Sequence, residues 1–132
     1  MTTRFQDKLA ALEDGTLNPG DFSHLDHVGV AVEALSKYDF FDAVSRYADG
    51  LRVLTEKAGV PEKFNATVTF ASMSLIAERM HTHDHRDPEE FLAANAKLFT
   101  KGFLTDQYVG DRSTSDLARK IPLMPADQFG QG

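Results

Sequence analysis

Five histidines and no cysteine supply the reactive side chains of this 132-residue chain, and two of the five, His24 and His27, stand three residues apart in Ser23-His24-Leu25-Asp26-His27. At that spacing both imidazoles share one face of a helix. Together they can occupy two positions around a metal, or one can act as general base or acid, because an unperturbed imidazole titrates near ~6.5. The plainer reading makes His24 an exposed residue at a helix end and His27 a half-buried core residue. H-x-x-H alone lacks the third protein ligand of a catalytic zinc site.

A second set lies in Asn65–Glu78. Asn65, Thr69 and Ser72 fall at i, i+4 and i+7, with Thr67, Ser74 and Glu78 in a neighbouring row, all in an otherwise apolar stretch. Buried polar groups need partners. A ligand or the His24/His27 pair can provide them, which would make this stretch one wall of a pocket between helices. Alternatively, the Thr and Ser hydroxyls bond back to carbonyls four residues earlier and Glu78 reaches solvent. His81-x-His83-x-His85, with Asp84 and Asp87, has a metal-like composition but reads as a solvated connector. Tyr108 and Arg119 complete the candidates. Arg119 either clamps an anionic substrate with its planar fork or satisfies the end of the last helix. The phosphate loop, the dinucleotide glycine motif, the hydrolase elbow and the H-E-x-x-H helix are all absent from the sequence.

The elements that must position these residues follow from composition and periodicity. The length fits one domain, 1–132, and 42% hydrophobic residues with ten Phe supply a core. Fourteen Lys+Arg against 20 Asp+Glu give a net charge of -6, which argues against a nucleic-acid partner. The absence of cysteine excludes disulfides and thiolate chemistry and suits a reducing compartment. No ~18-residue apolar run predicts a membrane span, and the N-terminus lacks a leader pattern, so the expected location is the cytoplasm.

Phe5, Leu9 and Leu12 predict a first helix stopped by Gly15. Ser23 with Asp26 predicts the start of a second, with Leu25, Val28, Val32 and Leu35 on its apolar stripe. Asp39 caps a third, carrying Phe40, Val44, Tyr47, Leu51, Leu54 and Ala58 up to Gly59-Val60-Pro61. Gly50 within it marks a close helix contact. Phe64 to Met80 is apolar over most of its girth and is expected to form the central helix. Its Thr67–Phe70 segment also has strand-like composition. Residues 81–87 are expected as an exposed linker, and Asp87-Pro88-Glu89-Glu90 as the next helix start, with Phe91, Leu92 and Leu98 packing beneath. A last short helix is capped by Ser113 with Asp116 at its third position, and 121–132 form an irregular tail. The architecture is all-α, a compact single-domain bundle of five or six helices.

With these residues in view, the chain resembles a family of small bacterial all-helical proteins with no established reaction. The resemblance rests on Phe22-x-His24-x-x-His27-Val28, Ala31, Leu35, Gly50-Leu51, Thr67-x-Thr69 and Glu78-Arg79-Met80. It continues through Phe91, Asn95, Leu98, Leu104, Tyr108, Leu117-Ala118-Arg119 and Pro125. Members of that family look as if they carry His-Glu where this chain has Asn65-Ala66, an aromatic at Val32 and an arginine at Gly29. The departure at Asn65-Ala66 implies another substrate, or binding without catalysis. The sequence reading is therefore an enzyme acting on a small metabolite by proton transfer. His27 would be base or acid and His24 its partner, while Asn65, Thr67, Thr69, Tyr108 and Arg119 bind substrate. The competing class is a non-catalytic ligand-binding protein, or a homodimer joined through Phe40, Phe41 and Val44. No cofactor and no tightly held metal are expected, and any metal uptake is assigned to His81, His83 and His85.

Overall fold

Thr3, Ser23, Asp39, Asn65, Asp87 and Ser115 each turn a side-chain oxygen onto a backbone N–H two or three residues into a helix, and these caps set the six α-helices of the described residues. The helices are α1 (Arg4–Asp14), α2 (His24–Lys37), α3 (Phe40–Lys57), α4 (Ala66–His83), α5 (Pro88–Asn95) and α6 (Asp116–Lys120). The computed structural model describes residues 2–96, 99–100 and 102–127. Leu98, expected beneath α5, and residues 128–132 of the tail lie outside them. No strand occurs among the described residues, so Thr67–Phe70 is helical. No described helix is long and apolar enough to cross a membrane.

The first helix follows the sequence closely. Phe5, Leu9 and Leu12 are buried, and Gly15 closes the helix at φ +79°, a conformation that costs glycine little. The prediction that Phe64–Met80 forms the centre is corrected. The helix buried over most of its girth is α2, whose Val28, Gly29, Val30, Ala31, Val32 and Ala34 are all enclosed by α1, α3, α4 and α5. Its small residues let four neighbours approach at once, whereas Leu25, expected on the buried stripe, is exposed. In α3, Tyr47, Gly50, Leu51 and Leu54 are buried and Ala58 is exposed beyond the helix end. The close contact expected at Gly50 is present, since a Cβ there would lie 2.4 Å from Leu12 Cγ. Of the adjacent Phe40 and Phe41, the first packs edge-on against Phe70 of α4 and the second is 74% exposed.

Two boundaries differ from the sequence reading. His81, Thr82 and His83 continue α4, because nothing in them breaks a helix, and the Thr82 hydroxyl donates to the Glu78 carbonyl. The connector starts at Asp84, which sits in the left-handed region at φ 55°. Ser115 rather than Ser113 caps α6: its Oγ accepts from Ala118 N, and Asp116 is the first helical residue rather than the third.

The part of the tail that is described packs as a strap. Thr67, buried on α4, shares its hydroxyl proton between the Ala118 and Ile121 carbonyls, both at 2.9 Å, and accepts from Leu123 N at 3.0 Å. Tyr108 Oη donates to the Leu123 carbonyl, and Arg112 Nε to that of Met124. Thr67→Val keeps the shape but strands these strap groups, so it is expected to cost ~1–2 kcal/mol. Chemical denaturation measures it, and a cost indistinguishable from zero would mean that the strap is not held through Thr67.

Candidate functional site

The first turn of α2 carries both candidate histidines, and its neighbours fix where that turn points. Ser23 and Asp26 cap it reciprocally. Lys8 of α1 reaches across to Asp26 Oδ2 at 2.6 Å and to the Asp21 carbonyl at 2.6 Å. Burial alone would raise the Asp26 carboxyl, yet the hydrogen bonds from Lys8 and Ser23 outweigh it and hold the group below its ordinary value. The turn is thereby pinned to α1.

His27 is half-buried, its ring 4.2 Å from that of Phe22. Tyr47 Oη, from the middle of α3, lies 2.9 Å from the His27 carbonyl and 3.4 Å from His27 Nδ1. The Tyr47 proton goes to the nearer acceptor, the carbonyl, so the longer approach to Nδ1 is best met by a proton on the imidazole. That arrangement favours the tautomer with its proton on Nδ1 and its lone pair on Nε2. Burial, reinforced by repulsion from His24 and only partly offset by Asp26, lowers the His27 pKa to about 4. His27 is thus neutral at physiological pH. Burial likewise pushes the Tyr47 hydroxyl upward, keeping it a protonated donor. His24 is exposed and its Nε2 meets the Phe99 carbonyl as a hydrogen-bond donor.

Both histidines line a cavity of about 530 Å³ between α2, α3, α4 and residues 99, 100 and 102–105, within the ~300–1,000 Å³ range of small-molecule sites. Asn65, Thr69 and Ser72 of α4 line it too, so the first polar row meets the histidine pair as the sequence expected. The walls between are apolar: Val28, Ala31, Leu51, Phe64, Met73 and Ile76. Asn65 spends much of its carboxamide on structure, with Oδ1 accepting from Val68 N at 2.9 Å and Nδ2 donating to the Ser113 carbonyl at 2.7 Å. Thr69 differs. It is buried to 9% exposure, and its hydroxyl makes no hydrogen bond among the described residues. The back-bonding alternative therefore fails for Thr69.

The other predicted binding residues lie elsewhere. At 3.6 residues per turn, Thr67 points about 200° from Asn65, onto the opposite side of α4. There it lines a separate recess of about 300 Å³ with Ser74, Glu78 and Tyr108. Its hydroxyl, like that of Tyr108, is engaged with the strap. Arg119 is exposed at the end of α6 and lines neither. Thr67, Tyr108 and Arg119 are accordingly withdrawn from the substrate-binding set. Among the described residues no three His, Asp or Glu side chains gather in a metal-holding group.

Several lining residues were not anticipated. Tyr47 was read as core, although a buried tyrosine hydroxyl implies a polar partner nearby. Lys63, Thr55 and residues 99, 100 and 102–105 carry no periodic signal that would place them here. No protein-family model, curated protein or solved structure matches this chain.

Proposed function

We propose that the cavity binds a small, chiefly apolar molecule and that His27 recognises a hydroxyl or N–H on it, acting as a neutral acceptor through Nε2. The observation that carries this reading is a half-buried imidazole, kept neutral by its burial and packed beside the Tyr47 hydroxyl, on the wall of a mostly apolar cavity of about 530 Å³. Apolar walls supply affinity, and a few fixed polar atoms supply orientation.

Proton-transfer catalysis by His27, with His24 assisting, is the second reading, and it is favoured by an imidazole and an unbonded Thr69 hydroxyl lining the same cavity. Against it, an imidazole titrating at about 4 is a weak base beside the ordinary ~6.5, and the best catalytic pKa lies near the working pH. Binding uses the lowered pKa, whereas general-base catalysis has to work around it.

The test compares 2-naphthol with 2-methoxynaphthalene, which keeps the apolar body and loses the donor. The alcohol is expected to bind about tenfold tighter, a preference that His27→Phe removes. Val68→Trp or Ser72→Trp, each checked for native circular dichroism, fills the cavity and is expected to abolish binding of both. Equal affinity for the two probes in the native protein would remove His27 from recognition. Undiminished binding in both folded tryptophan variants would remove the cavity.

A further inference from the structure

The charge pattern around the cavity narrows the class of ligand. The chain carries 20 Asp+Glu against 14 Lys+Arg, yet no Asp or Glu is among the described residues that line the cavity, and Lys63 is the one formally charged side chain among them. A cation entering this site would lose water and find no carboxylate, which is costly. Lys63 stands at the end of the single turn Pro61–Lys63, two residues before the Asn65 cap of α4. Unlike those of Lys8, Lys57, Arg46 and Arg52, which are tied to carboxylates or carbonyls, its side chain makes no ion pair or hydrogen bond among the described residues.

The wall beside it belongs to the start of α4, an 18-residue helix with no acidic residue in its first turn, whereas α1, α2, α3, α5 and α6 each have at least one there. In its first turn the positive end of the α4 dipole thus meets the neutral Asn65 cap and no carboxylate. Within the same wall is Thr69, a residue only 9% exposed, whose hydroxyl makes no hydrogen bond among the described residues and, since no buried side-chain oxygen or nitrogen there lacks a partner, opens to the cavity. A helix start without a carboxylate in its first turn, a lysine side chain without an ion pair and an unbonded threonine hydroxyl all line one apolar cavity.

We propose that the ligand is an apolar monocarboxylate. Its carboxylate lies at the start of α4 against Lys63 and the Thr69 hydroxyl, and its body runs along Val28, Leu51 and Met73. The proposal rests on the reading of this cavity as a binding site and adds the charge of what it binds.

The experiment titrates the full chain with three probes of one shape, 2-naphthoate, 2-naphthalenemethanol and 2-naphthylmethylammonium, and follows heat and backbone amide shifts. Naphthoate is expected to bind about tenfold tighter than the alcohol and to shift the amides of Ala66–Thr69, and the ammonium to be rejected. Lys63→Met keeps the aliphatic stem and sits on an exposed turn. It should bring naphthoate down to the affinity of the alcohol while leaving the alcohol unchanged, and Thr69→Val should act in the same direction. Equal affinity of alcohol and naphthoate in the native protein, or a preference that survives Lys63→Met, overturns the carboxylate and leaves the cavity reading intact. Failure of all three probes to bind overturns both.

Discussion

Replacing Gly29 with alanine is expected to destabilise the protein by ~3 kcal/mol, at the upper end of what overpacking a core typically costs. Gly29 faces α1 from the buried helix α2, and a Cβ there would lie 2.2–2.5 Å from three atoms of the Phe5 ring. Phe5 is 1% exposed, so the ring has no open direction in which to turn, and the Arg4 guanidinium covers it 4.4 Å from the centroid. Either the ring leaves its site or α1 moves away from α2. The gain in helix propensity, ~1 kcal/mol for Gly→Ala, is too small to offset either. Gly50→Ala is the control, because its Cβ would meet Leu12 side-chain atoms at 2.4, 3.0 and 3.1 Å, and an aliphatic chain can change rotamer where a flat ring cannot. It is expected to cost clearly less. Phe5→Leu, harmful alone, should recover part of the loss in the Gly29→Ala background, which denaturant titration of the four proteins measures as a coupling energy. A Gly29→Ala protein within ~0.5 kcal/mol of the original, the usual surface value, would show that α1 does not sit on α2 as described.

That contact marks where the sequence stopped being readable. The starts of α2, α3 and α5 were legible from Ser23, Asp39 and Asp87, because a cap and its N–H partner are local events three residues apart. The hub role of α2 was not. A stripe of Leu25, Val28, Val32 and Leu35 describes a helix with one buried face, whereas the burial of α2 comes from Gly29, Ala31 and Ala34, whose value is that they take little room. Small residues give almost no hydrophobic signal, and α4, with its larger side chains, was read as central instead.

The site divides in the same way. His24, His27, Asn65, Thr69 and Ser72 meet because two helical rows, each legible alone, happen to face each other across the bundle. Thr67 belongs, as its spacing says, to the neighbouring row with Ser74 and Glu78, and joining it to Asn65 and Thr69 as a binding residue overlooks that a two-residue step on a helix reverses direction. Tyr108 and Arg119 depended on long-range chain paths for which no local pattern exists. Lys63 was overlooked because a lone exposed lysine becomes informative only once the cavity around it is known to lack acids.

Acidification from pH 7 to 4.5 is expected to weaken the fold by about 2–3 kcal/mol through His27 alone, and the sign follows from its depressed pKa. In the unfolded chain the imidazole takes a proton near ~6.5, while in the folded protein it does so only at about 4. Between those values the unfolded state binds the extra proton, so stability is highest above ~6.5 and falls as the pH drops toward about 4. Other groups leave this window readable. Asp14 and Asp26, held below their ordinary values, withdraw their contributions mainly below pH ~5, where unfolded carboxylates begin to protonate. Glu33, raised by burial and by Asp87, works in the opposite direction and masks part of the loss in the native curve. The clean quantity is therefore the difference between the native protein and His27→Phe, in which the ring still packs on Phe22 and the Tyr47 hydroxyl keeps its bond to the carbonyl of residue 27. Urea titrations at half-unit intervals should show that difference moving against the native protein by about 2–3 kcal/mol between pH 7 and 4.5. Parallel curves would mean that His27 meets water freely, and with that the neutral acceptor on the cavity wall would be lost. A bound 2-naphthol, donating to Nε2, should push the fall in stability to still lower pH, because a proton and the ligand compete for the same lone pair.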